Sequence, residues 1–237
     1  MTPRAWCGSG SVWPDSRRLR ASLPPVKRRA WLSSVGGLCV GAAGAWLPRP
    51  GLAGAQVEEP LADSVRLVLA AAVASQGPPR PAFADARGRA AYLRWRQQAD
   101  ARLTRHKPEA QARADLLDAV WYESARAGLE TALVLGVIQV ESGFRKYAIS
   151  PVGARGYMQV MPFWARLIGD GDERRLFHLQ TNLRFGCVIL RHYLDMERGD
   201  LGMALGRYNG SRGRMAYPQA VLASRTGWAS LQGLAGG

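Results

Sequence analysis

From residue 60 to residue 224 the apolar side chains recur every three to four positions, and no stretch sustains the strict alternation of a half-buried strand. That periodicity predicts an all-α fold. The first helix is expected over 60–76, where Leu61, Val65, Val68, Leu69 and Ala72 share one face and Gly77-Pro78-Pro79 ends the run. An Arg- and Ala-rich helix follows near 84–106 and stops before Pro108. Over 109–127 Leu116, Leu117, Val120 and Trp121 keep helical spacing, with Gly128 as the stop. Further helices are expected over 130–142, over 159–168 despite Pro162, over 181–197, over 201–208 and over 217–224. No internal repeat appears, and a domain boundary is expected near 108–112.

Charge divides the chain. Of 32 Lys and Arg and 18 Asp and Glu, residues 1–55 hold eight basic and one acidic; the remainder carries 24 and 17, a net of +7. The N-terminal excess fits an export signal: Arg17, Arg18, Arg20, Lys27, Arg28 and Arg29 precede an uncharged run from Ala30 to Leu47. Ala53-Gly54-Ala55 then supplies small residues for cleavage before Gln56. The competing reading is a membrane anchor, which Gly36, Gly37, Gly41 and Gly44 disfavour by lowering the hydropathy of the run. Arg28-Arg29-Ala30-Trp31-Leu32 also fits a twin-arginine signal, with Lys27 where Ser or Thr is preferred, so both export routes stay open.

Several chemistries are excluded early. Cys187 is the one cysteine beyond the signal, too few for an internal disulfide, and its apolar neighbours Phe185, Val188 and Ile189 make it a buried structural thiol. His106, His178 and His192 match no metal spacing, so no metal and no cofactor are expected. The +7 is dispersed over helices without stacking aromatics, which argues against nucleic acid. A mild positive charge suits a protein approaching an anionic surface.

One carboxylate stands apart. Val134-Leu135-Gly136-Val137-Ile138 leads into Glu141, and no other acid follows until Asp170. A carboxylate at a helix C-terminus opposes the helix dipole. Apolar neighbours would raise its pKa and suit it to work as a general acid. Uncharged polar groups follow it: Ser150, Gln159, and the pair Tyr208-Asn209 beside Gly210. Gly153-Ala154-Arg155-Gly156 lets the backbone turn tightly and approach a ligand. Phenol and amide groups suit sugar hydroxyls and N-acetyl groups rather than phosphates.

In order along the chain, Glu141-Ser142, Ser150-Pro151-Val152-Gly153-Ala154, Gly156-Tyr157-Met158-Gln159-Val160-Met161-Pro162 and Tyr208-Asn209-Gly210 resemble the motifs of the soluble-type lytic transglycosylases. The resemblance covers roughly residues 113–225. It departs from the family at Tyr157, where Leu is usual, and at Gly210-Ser211, where Ala-Gly is usual.

The resemblance implies a lysozyme-like helical domain that cleaves peptidoglycan glycan strands with one acid. Glu141 would protonate the glycosidic oxygen while the substrate's own N-acetyl group stabilises the sugar cation, an exception to the two-carboxylate rule. It would then accept the proton of the 6-hydroxyl, closing a 1,6-anhydro ring. By the same resemblance Ser150 would orient the Glu141 carboxyl, and Gln159, Met161 and Tyr208 would shape the adjoining sugar subsite. Gly156 and Asn209 belong to the same binding set, and Met158, Met161 and Tyr208 would keep water away. Trp164 is a candidate for the groove wall; Trp121 falls on an apolar stripe and is expected in the core. The expected organisation is an export segment (1–55), an N-terminal helical region (56–112), the catalytic domain (113–225) and a short tail (226–237). Rival readings are a hydrolytic lysozyme of the same fold and a non-catalytic wall-binding protein. Cell-wall or secretion-system partners are not specified by any motif.

Overall fold

The helices expected from the periodicity pack around one buried segment. The computed structural model describes residues 56–74 and 83–233, and all of these lie in one compact unit spanning residues 50–237. The segment expected to direct export, with Cys7 and Cys39, and the stop expected at Gly77-Pro78-Pro79 fall outside the described residues. Within them the elements are α1 (Asp63–Ala74), α2 (Ala86–Leu103), α3 (Ala110–Arg126), α4 (Thr131–Ser142), α5 (Pro162–Ile168), a 3₁₀ turn (Glu173–Phe177), α6 (Leu179–Met196), α7 (Leu201–Asn209) and α8 (Ala216–Gly233). Two isolated bridges, Ile149 with Arg155 and Arg155 with Val160, are the β pairing among the described residues.

Helix α4 is the centre. Every residue from Thr131 to Ile138 is buried, as an all-round apolar helix must be. Its closest partner is α8, and the approach depends on Gly136: a Cβ there would lie 3.0 Å from the Arg225 amide and 3.1 Å from the Val221 carbonyl. The helix ends where Gly143 turns left-handed at φ 56°. On the far side α6 packs against α1, α3 and α7. Helix α2 lays Tyr92, Trp95, Ala99 and Leu103 onto α3 and α8. Arg113 joins α2 to α3 by donating to Asp100 Oδ1 at 2.7 Å and to the carbonyls of Lys107 and Pro108.

Several boundaries differ from the expectation by two residues or more, and two of the differences change the packing. The helix expected over 159–168 begins only at Pro162, which occupies the first turn where a missing N–H is harmless. Gln159 instead adopts φ 48°, and Arg155 and Val160 exchange backbone hydrogen bonds at 3.0 Å. The helix expected over 217–224 runs to Gly233, so the residues expected as a tail from 226 begin inside α8. Long-range partners extend it. Trp228 is buried, donates to Gln139 Oε1 at 2.8 Å, and lies under the Arg102 guanidinium. Arg102 also donates to the Gly227 carbonyl at 2.6 Å.

Candidate active site

The last turn of α4 carries Glu141 into the interior, where it is 5% exposed. The Tyr217 hydroxyl of α8 donates to its Oε1 at 2.6 Å, and Oε2 has no partner among the described residues. Burial pushes the carboxyl up, to about 8, against a smaller downward pull from the Tyr217 hydrogen bond. Burial thus favours the neutral, proton-bearing form of Glu141 over the carboxylate.

The loop from Gly143 to Met161 forms the wall beside it. Phe144 sits at φ 66° and is buried, wedged 5.7 Å from the Trp228 ring and 5.1 Å from His106. Packing of this kind holds a non-glycine residue in a sparsely populated conformation. Ser150 closes the next turn: its Oγ accepts the Ala154 amide at 3.0 Å and its carbonyl accepts the Gly153 amide at 2.9 Å. The resemblance gave Ser150 the task of orienting Glu141. In the structure its hydroxyl oxygen is engaged within its own turn, and Tyr217 is the group hydrogen-bonded to the carboxyl.

Gly156 lies at φ 77°, and nothing larger fits there: a Cβ would meet the Leu176 carbonyl at 2.7 Å and the Asn182 side chain. Asn182, on the first turn of α6, fastens this corner. Its Nδ2 donates to the Arg155 and Leu176 carbonyls at 2.8 and 2.7 Å, and its Oδ1 accepts the Met158 amide at 2.8 Å. Gln159 is buried as well, and its Nε2 donates to the carbonyls of Ala148 and Gly156 at 3.1 and 2.9 Å.

The third motif arrives from α7. Tyr208 is fully buried and donates to the Met158 carbonyl at 2.7 Å, so the Tyr208-Asn209 block and the Met158-Gln159 block are fastened to each other. Gly210 ends α7 in the left-handed conformation, and Asn209 is buried beside it. Burial first, then the nearby Glu141, pushes the hydroxyls of Tyr208 and Tyr217 well up, keeping both phenols neutral. Met158 is fully buried and abuts Gly186 of α6, whereas Met161 stays half-buried.

The structure thus gathers Glu141, Tyr208 and the loop bearing Ser150, Gly156, Met158, Gln159 and Met161 at one locus. Sequence reasoning missed Tyr217 and Asn182. A tyrosine at a helix start and an asparagine in an amphipathic helix carry no local mark of their partners, which lie 76 and 24 residues away. Trp164 corrects another expectation. It is 2% exposed and donates to Gln56 Oε1 at 2.8 Å, so it is core and not groove. Trp121 packs with Tyr92 and Trp95 at the core's edge. Cys187 is buried with its thiol pushed well up by burial. Among the described residues no group of three His, Cys, Asp or Glu is placed to hold a metal, and no helix is long and apolar enough to cross a membrane.

Residues 119–226 match the family model described as Transglycosylase SLT domain. The chain is 37% identical over 95 residues to the Transglycosylase of Enterobacteria phage PRD1, covering 38% of this chain and 34% of that protein. It is 51% identical over 82 residues to the Membrane-bound lytic murein transglycosylase C of Haemophilus ducreyi, covering 30% of this chain and 22% of that protein. Against the protein of the same name from Histophilus somni it is 36% identical over 84 residues, or 30% and 23% of the two chains. The chain thus spans about a fifth to a third of the length of the curated relatives it matches.

Proposed function

We propose that this chain, whose residues 119–226 match the Transglycosylase SLT domain model, is a peptidoglycan lytic transglycosylase with a lysozyme-like helical domain. It cleaves the bond between N-acetylmuramic acid and N-acetylglucosamine and leaves 1,6-anhydromuramoyl ends. The observation that carries the reading is Glu141: a carboxyl raised to about 8 by burial, with Oε1 held by a phenol and Oε2 unpartnered. Such a group gives a proton to the leaving oxygen at neutral pH. As the bond breaks, the substrate's N-acetyl carbonyl stabilises the positive charge at the sugar carbon. The Glu141 carboxylate then takes the proton of the 6-hydroxyl, and that oxygen closes the ring.

Tyr217 fixes the rotation of the carboxyl so that Oε2 faces the reacting oxygens. Gln159, Asn209 and Tyr208, all buried, shape the sugar subsite by holding the main chain of the two loops. Half-buried Met161 offers the apolar surface that keeps water from the sugar carbon, and Met158 supports it from beneath. Residues 56–112 act as a helical layer that braces α3 and α8. Residues 1–55 direct the chain to the cell envelope, with Gln56 as the mature N-terminus, which N-terminal sequencing of the exported protein tests.

Mass spectrometry of muropeptides released by the mature protein tests the reaction. Anhydro products weigh one water less than hydrolysis products. Reducing-end sugars as the main product assign the site to hydrolysis, and no release assigns it to wall binding. Activity is expected to persist in a chelator.

A further inference from the structure

A cleft of about 580 Å³ opens next to the Glu141 loop. One wall is His106, Lys107, Pro108 and Glu109, in the connection between α2 and α3, outside the matched domain; the other is the run from Phe144 to Ile149, which follows Glu141 in the chain. Buried Phe144 contributes its left-handed backbone to that second wall. Tyr147 and Ile149 are 70% and 65% exposed at the edge.

The charges in this cleft do not balance. Lys107, Arg145 and Lys146 line it against Glu109 alone, and none of the three cations is paired with a carboxylate among the described residues. The Lys107 ammonium lies 5.5 Å from the Tyr157 ring, the Lys146 ammonium 5.2 Å from the Tyr147 ring, and Arg145 donates its Nε to the Ser142 carbonyl. By contrast, Arg166 and Arg155 both pair with Glu173. Three cations held over aromatic faces and a carbonyl, around a concave space, form a site for an anion.

We propose that this cleft binds the carboxylates of the peptide stem attached to the muramoyl residue at the scissile bond. This rests on the proposed function. Position supports the assignment: the Ala148 carbonyl, in the cleft wall, accepts both the Gln159 side chain and the Gly156 amide, so cleft and sugar loop share one backbone. A stem carries carboxylates spaced by short aliphatic side chains, which matches a cleft lined by three cations together with exposed Tyr147 and Ile149. The residues 106–109 thereby give the chain a substrate-selecting element that lies outside the matched domain.

The test compares the mature protein with Lys107→Glu/Lys146→Glu and with the conservative Lys107→Arg/Lys146→Arg. Each is assayed for kcat/KM on stem-bearing peptidoglycan and on glycan strands stripped of stems by an amidase. Wild-type is expected to prefer the stem-bearing substrate by about tenfold, through KM, with the preference falling in high salt. Charge reversal should bring the ratio near one, and the arginine variant should keep it. Should the double reversal not fold, Lys146→Glu alone is expected to lower the ratio part of the way. A ratio of one in wild-type, a ratio unmoved by charge reversal, or inhibition by a phosphate polymer but not by free stem tetrapeptide overturns the proposal. Wild-type that releases no product from either substrate overturns the proposed reaction instead.

Discussion

Glu123, where α3 meets α6, and Glu141, at the end of α4, are 1% and 5% exposed, yet their surroundings differ in kind. Arg184 donates its Nε to Glu123 Oε1 at 3.0 Å, Arg126 donates to Oε2 at 3.3 Å, and Gln180 adds a third bond. Arg126 also reaches the Ala72 carbonyl, so this carboxylate ties α1, α3 and α6 together. Glu141 has a phenol on one oxygen and nothing on the other. Burial among cations makes Glu123 the centre of an ion-paired tie, whereas burial without them raises the Glu141 carboxyl. The depth of the two residues is the same, so the partner decides the role.

The strongest way to break this comparison is Glu141→Gln. The near-isosteric amide keeps the packing but cannot donate a proton to the leaving oxygen, so activity is expected to fall by about 10² to 10⁴-fold with the circular dichroism spectrum retained. A variant that clears a peptidoglycan suspension at near wild-type rate removes Glu141 from the mechanism. The counterpart is Glu123→Ala, which strands Arg184 in the interior and is expected to cost about 3–5 kcal/mol of stability in denaturant titration. The fraction that remains folded should keep its activity; selective loss of turnover at full stability would erase the distinction.

pH sharpens the contrast. The Glu141 pKa is raised, so the folded state binds more protons than the unfolded state between about 4.5 and about 8. Its contribution to stability is therefore fully present below the lower value and lost as pH rises through the upper one. For one proton the slope is at most roughly 1.4 kcal/mol per pH unit. Denaturation midpoints should fall with pH across this window in wild-type and less steeply in Glu141→Gln. The rate should show an alkaline limb near 8 for the same reason.

A smaller effect is expected from Tyr217→Phe. The phenol lowers the Glu141 pKa by hydrogen bonding, so its loss moves the alkaline limb upward, and kcat falls several-fold as the carboxyl loses its fixed rotation. A pH–rate profile separates the two effects, and an unshifted limb would remove Tyr217 as the positioning group. The smallest change belongs to an exposed pair. Glu59 accepts from Arg207 Nη1 at 3.0 and 3.1 Å with its side chain 46% exposed, and Glu59→Gln should cost less than about 1 kcal/mol. A larger cost in thermal denaturation would mean that the segment from Gln56 to Glu59 supports the Tyr208 wall.

Much of this molecule is written in local pattern. The apolar face of residues 181–197 predicts α6, and the run through Val134–Ile138 predicts an apolar helix ending in an acid whose neighbours raise its pKa. Helix periodicity and glycine stops act within a few residues, so one strand of sequence suffices to read them. The ordered blocks at Glu141, Met158-Gln159 and Tyr208-Asn209 likewise carry the family resemblance.

Tertiary structure decided the rest. Gln159 reads as helical from its neighbours, and only the carbonyls of Ala148 and Gly156 hold it left-handed. Trp164 reads as a groove aromatic until Gln56, 108 residues away, accepts its indole hydrogen. Glu123 has a local partner in Arg126, three residues on, but nothing within a few residues predicts Arg184 for Glu123 or Tyr217 for Glu141. Those partners arrive 61 and 76 residues further along the chain. Proton affinity depends on the charges and dipoles within a few ångströms, and chain folding alone places them.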